Sequence, residues 1–414
     1  MENPSPTRTT NLQRIRSLYR LQEDKNNLNI PEPINGKVQE IDTKESLENV
    51  DRYGNYRSDF NVNNLGFYKV SKDPTLDKPN PAKRLGNKLI GHDDMLKYVD
   101  ESIFMVVPGE SHDRNEISAK ELSRIQKWKS MCSIHLVSGN QLHSFRKTRK
   151  LILRTFKGIP DCWRSIAWWS FLVDSLPDKK LIDKYYQLNE QICDYDVQID
   201  LDVPRTAATH FLFRKRYIGG QRLLFRVLHA VALYIPRVGY VQGMASIAAT
   251  LLIYYPEEQA FIMMVNLLEN RGMGDLFSSG FDTLLKAFDM LKHELSFTQS
   301  GRHLAEIGAE PSAFATRWYL TVFHQCVPFH TQLRIWDLLF LLGGSKGQTV
   351  RLLQATSLAV IQGMWDTLID ADFEVVMQAL SGVIPIQNDN ALLARIQLFW
   401  EKMPSENSSK SKRN

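Results

Sequence analysis

The stretch Leu223-Leu224-Phe225-Arg226-Val227-Leu228-His229-Ala230-Val231-Ala232-Leu233-Tyr234-Ile235-Pro236-Arg237-Val238-Gly239-Tyr240-Val241-Gln242-Gly243-Met244 decides the fold. Leu223, Leu224, Val227, Leu228, Val231 and Ala232 recur every three to four residues, which is one face of a helix. Pro236 and Gly239 then end it, as helix-stopping residues do. The next run, Met244 to Tyr255, is nearly all apolar and stops at Pro256. It is shorter than the roughly 20 residues a bilayer span needs, so it reads as a buried helix. Glu121, Leu122, Ile125, Trp128 and Met131 keep the same period upstream. Ala260 to Leu268, Leu284 to Leu295, Ala313 to Cys326, Leu333 to Leu342 and Leu352 to Leu368 keep it downstream. No run alternates convincingly as strands do, and no short repeat is visible. The fold class that follows is all-α: many helices of ordinary length joined by short loops.

The bulk properties permit such a domain. The chain has 414 residues, 43% hydrophobic and 23% charged, close to a soluble globular average. Its formal charge of +5 is small for the length and gives no argument for nucleic acid. The four cysteines, Cys132, Cys162, Cys193 and Cys326, form no CxxC pair and suggest no zinc site. They read as free thiols in a reducing compartment. The opening Met-Glu-Asn-Pro-Ser-Pro lacks an apolar signal core. The expected location is cytoplasmic, with at most peripheral attachment to endomembranes.

All eight tryptophans lie between Trp128 and Trp400. Residues 1–118 are polar and read as a largely flexible extension, with a possible accessory segment at 93–111. Leu12, Ile15, Leu18 and Tyr19 share one helical face among Arg14, Arg16 and Arg20. This fits a membrane-surface helix, a targeting segment or a transient helix. Residues 119–402 form the helical domain, and 403–414 a Ser/Lys-rich disordered tail.

No P-loop, H-E-x-x-H, G-x-S-x-G or kinase set is present, so the chain is not expected to hold a nucleotide pocket of its own. The histidines show no metal-ligand pairing, and no metal or cofactor is expected. Two polar islands stand out in apolar surroundings. In Ile199-Asp200-Leu201-Asp202-Val203-Pro204-Arg205-Thr206, Asp202 and Arg205 lie three residues apart, so they can pair on one turn, and Pro204 stiffens the backbone before the arginine. A rigid, carboxylate-backed guanidinium suits a partner's phosphate. The same residues also fit a helix-start cap with a surface ion pair. In Val238-Gly239-Tyr240-Val241-Gln242-Gly243-Met244, glycines flank a glutamine whose amide both donates and accepts. It can hold a water against an oxygen, or satisfy backbone groups at a buried helix start.

Taken in order, the islands resemble the TBC domain, the Rab GTPase-activating module. Ile199, Asp202, Arg205 and Thr206 match its IxxDxxR motif; Tyr240, Gln242 and Gly243 match its YxQG motif. Lys157-Gly158-Ile159-Pro160 with Arg164 and Trp168 resembles the opening block. Gly220-Gln221-Arg222, Glu310-Pro311-Ser312, Arg317-Trp318 and Arg334-Ile335-Trp336-Asp337 resemble later ones, over about Ser123 to Gln397. Ala245 departs from the family, where a polar residue is frequent. The resemblance implies a V-shaped all-helical domain that binds a GTP-bound Rab-type small GTPase. It implies that Arg205 and Gln242 enter the partner's site in trans, with Asp202, Tyr240 and Gly243 supporting them. GTP and Mg²⁺ would reside on the partner. The other reading is a catalytically silent TBC-like scaffold that binds a GTPase or another trafficking partner.

Overall fold

The computed structural model describes residues 12–19, 53–55, 60–62, 68–70, 119–217, 219–344 and 347–403. The accessory segment expected at 93–111, most of the extension and the tail beyond 403 lie outside the described residues.

In chain order, α1 covers residues 12–19, and β1 (Phe60–Val62) pairs antiparallel with β2 (Tyr68–Val70). Helix α2 (Ala119–Lys129), a hairpin of β3 (Cys132–Val137) and β4 (Asn140–Phe145), α3 (Arg149–Phe156), α4 (Asp161–Leu172) and α5 (Lys179–Asn189) follow. Then come α6 (Asp196–Asp202), 3₁₀ turns at Val203–Arg205 and Phe211–Phe213, α7 (Gly219–Tyr234), α8 (Gly243–Tyr254) and α9 (Glu257–Asn270). The remainder is α10 (Met273–Leu276), α11 (Asp282–Ser296), α12 (Gln299–Glu306), α13 (Pro311–Thr321), α14 (Phe329–Leu342), α15 (Gln348–Gly363), α16 (Trp365–Leu368), α17 (Phe373–Ser381) and α18 (Asp389–Lys402). The fold is all-α, with two small antiparallel strand pairs among the described residues. No described helix is long and apolar enough to cross a membrane.

Two differences from the periodicity have local causes. The stripe expected over Ala313 to Cys326 ends at Thr321, because Val322, Phe323 and Gln325 all take positive φ and no helix passes through that backbone. The β3–β4 hairpin turns at Ser138 and Gly139, both with positive φ, the two-residue turn that matches strand twist. Ile134 and Leu136 of β3 face solvent, while the inward side of β4 carries His143 beside Phe145, so the apolar pattern did not mark the buried face.

The helical region expected over 119–402 divides into two compact units that share the chain. One holds residues up to Gln126, Lys179–Tyr234 and Ala248–Phe261; the other holds Lys127–Asp178, Ile235–Ile247 and the chain from Ile262 onward.

In the first unit, Leu224, Val227, Leu228 and Val231 of α7 are fully buried, as their spacing required. Each is worth about 1.5–3 kcal/mol of gross burial. Two pieces of the N-terminal extension are fixed to this unit. Helix α1 buries Leu12 and Tyr19, so part of the face that fits a membrane surface packs on protein instead. Residues 53–55 dock on the chain beyond α6: His210 Nε2 lies 2.8 Å from the Tyr53 carbonyl oxygen, and Phe211 N–H donates to the Gly54 carbonyl at 3.0 Å. Gly54 has φ +89°, and a Cβ there would meet the His210 ring at 2.7 Å.

The second unit is centred on aromatic rings. Trp163, Trp168, Trp169, Trp318 and Trp336 are all buried, and Trp168 packs against Trp336 and Phe340 at 6.0 and 4.8 Å. Asp337 lies at zero exposure among them. It accepts from Arg164 Nε at 3.0 Å and Trp168 Nε1 at 2.8 Å. Arg164 and Trp168 are thus scaffold, tying α4 to α14. Burial raises the Asp337 carboxyl above the usual range, and the Arg164 guanidinium works against that rise.

Candidate functional site: the Asp202–Arg205 turn and the Gln242 turn

Helix α6, Asp-Val-Gln-Ile-Asp-Leu-Asp, wears its amphipathicity in reverse. Its acids Asp196, Asp200 and Asp202 are buried, while Val197 and Leu201 are 39% and 59% exposed. Only Ile199 anchors it apolarly. Buried carboxylates need partners, and each has one. Asp196 Oδ1 lies 2.5 Å from His229 Nδ1 of α7. Asp200 accepts from Tyr19 Oη of α1 at 2.9 Å and from Arg216 Nη2 at 3.1 Å. Asp202 accepts from Gln198 Nε2 at 3.3 Å and from Arg205 Nη2 at close range.

Asp202 closes α6 and makes no side-chain cap on the following 3₁₀ turn. Of the helix-start reading, Asp202 takes the N-cap position and pairs with the exposed Arg205, but its side chain caps no backbone N–H. Pro204 is the second residue of the 3₁₀ turn, in its first turn, where its missing N–H costs nothing. Thr206 locks the exit: its N–H and its hydroxyl both donate to the Asp202 carbonyl, at 3.0 and 2.8 Å. The Arg205 side chain is 57% exposed on this turn, over an Asp202 side chain that is 1% exposed. Further along, Gln221 Nε2 donates to the Phe213 carbonyl at 2.6 Å, and a Cβ on Gly220 would meet the Leu212 carbonyl oxygen at 2.6 Å. The Gly-Gln pair pins α7 against the chain that follows the arginine.

The second island lies in the other unit. Gly239 takes φ +62°, Tyr240 is buried, and Gln242 is exposed on the turn that opens α8. Met244 N–H and Ala245 N–H donate to the carbonyls of Val241 and Gln242 at 2.9 and 3.3 Å. Gly243 lies directly against α13, where a Cβ would fall 2.4 Å from the Leu320 carbonyl oxygen. A fully buried residue is required there with no side chain at all. Arg205 and Asp202 belong to the first unit; Tyr240, Gln242 and Gly243 belong to the second.

Sequence reasoning missed Tyr19, Arg216 and His229. Tyr19 and its partner Asp200 are 181 positions apart, and no local spacing points from one to the other. Cys193, Asp196 and His229 also cluster, with ligand atoms within 4.8 Å. Both imidazole nitrogens are already engaged there, Nδ1 with Asp196 and Nε2 with the Leu188 carbonyl at 3.1 Å.

Comparison with known proteins gives this geometry a family. The "Rab GTPase-activating protein tbc-11" of Caenorhabditis elegans is 31% identical over 245 residues, covering 58% of this chain and 25% of its own length. The "Ecotropic viral integration site 5 protein homolog" of Homo sapiens is 28% identical over 267 residues, covering 63% and 32%. The chain spans about a quarter to a third of these two relatives. The Ypt/Rab-GAP domain of Gyp1p superposes with a TM-score of 0.55 at 18% identity, covering 68% of this chain and 98% of that one. The Chlamydomonas flagellar RabGAP TBC domain gives 0.52 at 22% identity, covering 67% and 90%. At these identities the two structures speak for the fold alone. The Rab-GTPase-TBC domain model matches residues 161–368, half of the chain and both polar islands, and by that match the chain belongs to the Rab-GTPase-TBC domain family.

Proposed function

We propose that this chain activates GTP hydrolysis on a GTP-bound Rab-type small GTPase, inserting Arg205 and Gln242 into the partner's active site. The observation that carries the reading is the exposed Arg205 guanidinium on a rigid turn, backed by the buried Asp202 carboxylate, in a chain of this family. The relatives' names support the class of partner.

Phosphoryl transfer needs positioning and charge compensation more than covalent chemistry. Arg205 brings a permanent charge on a planar donor fork to the oxygens of the transferring group. Asp202 holds that fork in one orientation before the partner arrives. The Gln242 amide donates and accepts, so it orients the attacking water. Tyr240 and Gly243 fix the turn that carries it. GTP and its Mg²⁺ belong to the partner. The work is done in the cytoplasm on trafficking membranes, with at most peripheral attachment.

The test is single-turnover GTP hydrolysis by a panel of Rab proteins with wild type, Arg205→Ala and Gln242→Ala. A cognate Rab should be accelerated by about 10³-fold or more, and each substitution should abolish most of that. Tight binding without acceleration would instead assign the silent scaffold.

A further inference from the structure

The N-terminal extension lies outside the matched family region of residues 161–368, yet both of its described docking pieces land on the chain that carries Arg205. Upstream of the arginine, Tyr19 donates to Asp200 from a buried position, and its ring stacks on Phe225 of α7 at 4.0 Å and meets Tyr217 edge-on at 5.0 Å. Arg16 Nη2 donates to the Asn189 carbonyl at 3.1 Å, where α5 ends. A cation there favours the negative end of the helix dipole. Downstream, residues 53–55 grip His210 and Phe211. Burial and the neighbouring Asp200 charge both push the Tyr19 phenol well above its ordinary range, so it stays a donor to that carboxylate.

Arg205 sits between these two clamps. Asp200 is two residues before Asp202, on the same short helix, and His210 is five residues after Arg205. Helix α6 has only seven residues and one inward apolar side chain, too little to hold itself in place. Its orientation therefore depends on what holds its carboxylates, and one of those holders comes from the extension.

We propose that the N-terminal extension is a working part of the arginine site, with Tyr19 as a positioning residue that fixes α6 and so the aim of Arg205. This rests on the reading of Arg205 as the inserted residue. The extension is then neither a passive tail nor an address: whatever lifts α1 off Asp200 lowers activity without touching the residues that meet the partner.

The experiment uses the full chain with Tyr19→Phe, which keeps the ring and removes the donor, and Tyr19→Ala, which removes both. Hydrogen exchange over residues 196–206 is measured first, because it needs no GTPase. Exchange should speed up by about tenfold or more in Tyr19→Ala and by less in Tyr19→Phe, with residues 329–342 of α14 unchanged. Single-turnover hydrolysis with a cognate Rab follows. Tyr19→Ala should cut the maximal rate by roughly 10- to 100-fold, the scale of a misaimed group, with Kd for the Rab little changed. Tyr19→Phe should restore part of it. On an Arg205→Ala background, Tyr19→Ala should have no further effect. Unchanged exchange over 196–206 overturns the proposal, and so does an equal loss of rate on the Arg205→Ala background. If wild type stimulates no Rab, the activator reading fails by itself, and the exchange measurement still decides whether the extension holds α6.

Discussion

Asp202 is almost completely buried beneath an Arg205 side chain that is more than half exposed, and the two are joined through Oδ1 and Nη2. The pair joins a fixed inner partner to an outer one that solvent, or another protein, can reach. Because the guanidinium is so exposed, the pair contributes about 1 kcal/mol or less to stability.

Arg205→Lys is therefore expected to fold normally and to fail as an activator. A lysine keeps the charge but loses the planar fork. The Rab hydrolysis rate should fall by about 10³-fold, the lower end of what an inserted arginine supplies. Single-turnover kinetics beside a thermal melt separates the two effects, and near-normal stimulation by the lysine variant would sink the assignment.

Gly243→Ala should damage both stability and activity. The added methyl meets the backbone oxygen of Leu320, which cannot rotate away as a side-chain tip can. Overpacking of this kind costs about 1–3 kcal/mol. The displaced start of α8 carries Gln242 with it. A melt unchanged from wild type would show that α8 and α13 separate more easily than their contact suggests.

Asp337→Ala removes the acceptor shared by Arg164 and Trp168 in the aromatic centre of the second unit. An uncompensated buried arginine costs about 3–5 kcal/mol. Asp161 also contacts Arg164 and softens the loss toward the lower figure. Urea titration of the variant, with Asp337→Asn as the isosteric control, measures it.

Acid should weaken the second unit through His324. Burial pushes this imidazole down from 6.5 to about 4, so the folded chain keeps it neutral where the unfolded chain has already taken a proton. The unfolded state then binds more protons between those values. The stability is fully present above pH 6.5 and drains away as pH falls toward 4, by about 3 kcal/mol when complete. Unfolding at pH 7.5, 5.5 and 4.5 should show this slope, and His324→Gln should flatten it. A variant with the wild-type slope would move the effect to another group.

The helices were legible wherever an apolar stripe ran long enough to set a period, as in α7, and where Pro236 and Gly239 stopped it. The two polar islands were legible by residue type and order. Their geometry was legible only in part. The pairing of Asp202 with Arg205 follows from a separation of three, but the end of α6 at Asp202 does not. The end of α13 was hidden because Val322 and Phe323 adopt a backbone that their side chains disfavour. The partners of Asp196 and Asp200 were hidden for another reason: a buried acid looks like a surface acid until its distant donor is known. Tyr19 and Asp200 meet only once the fold has closed.

The reversed face of α6 also constrains how this site can change over generations. Removing one partner of a buried polar pair strands the other and costs about 1–3 kcal/mol, more when a charge is left alone. Replacing a whole buried set with apolar groups of matching shape is often neutral or even stabilising. Residues 19 and 200 therefore form an epistatic pair, passable together and blocked singly. Drift in the extension is coupled to drift in α6, the helix that leads into the Arg205 turn, although 181 positions separate Tyr19 from Asp200.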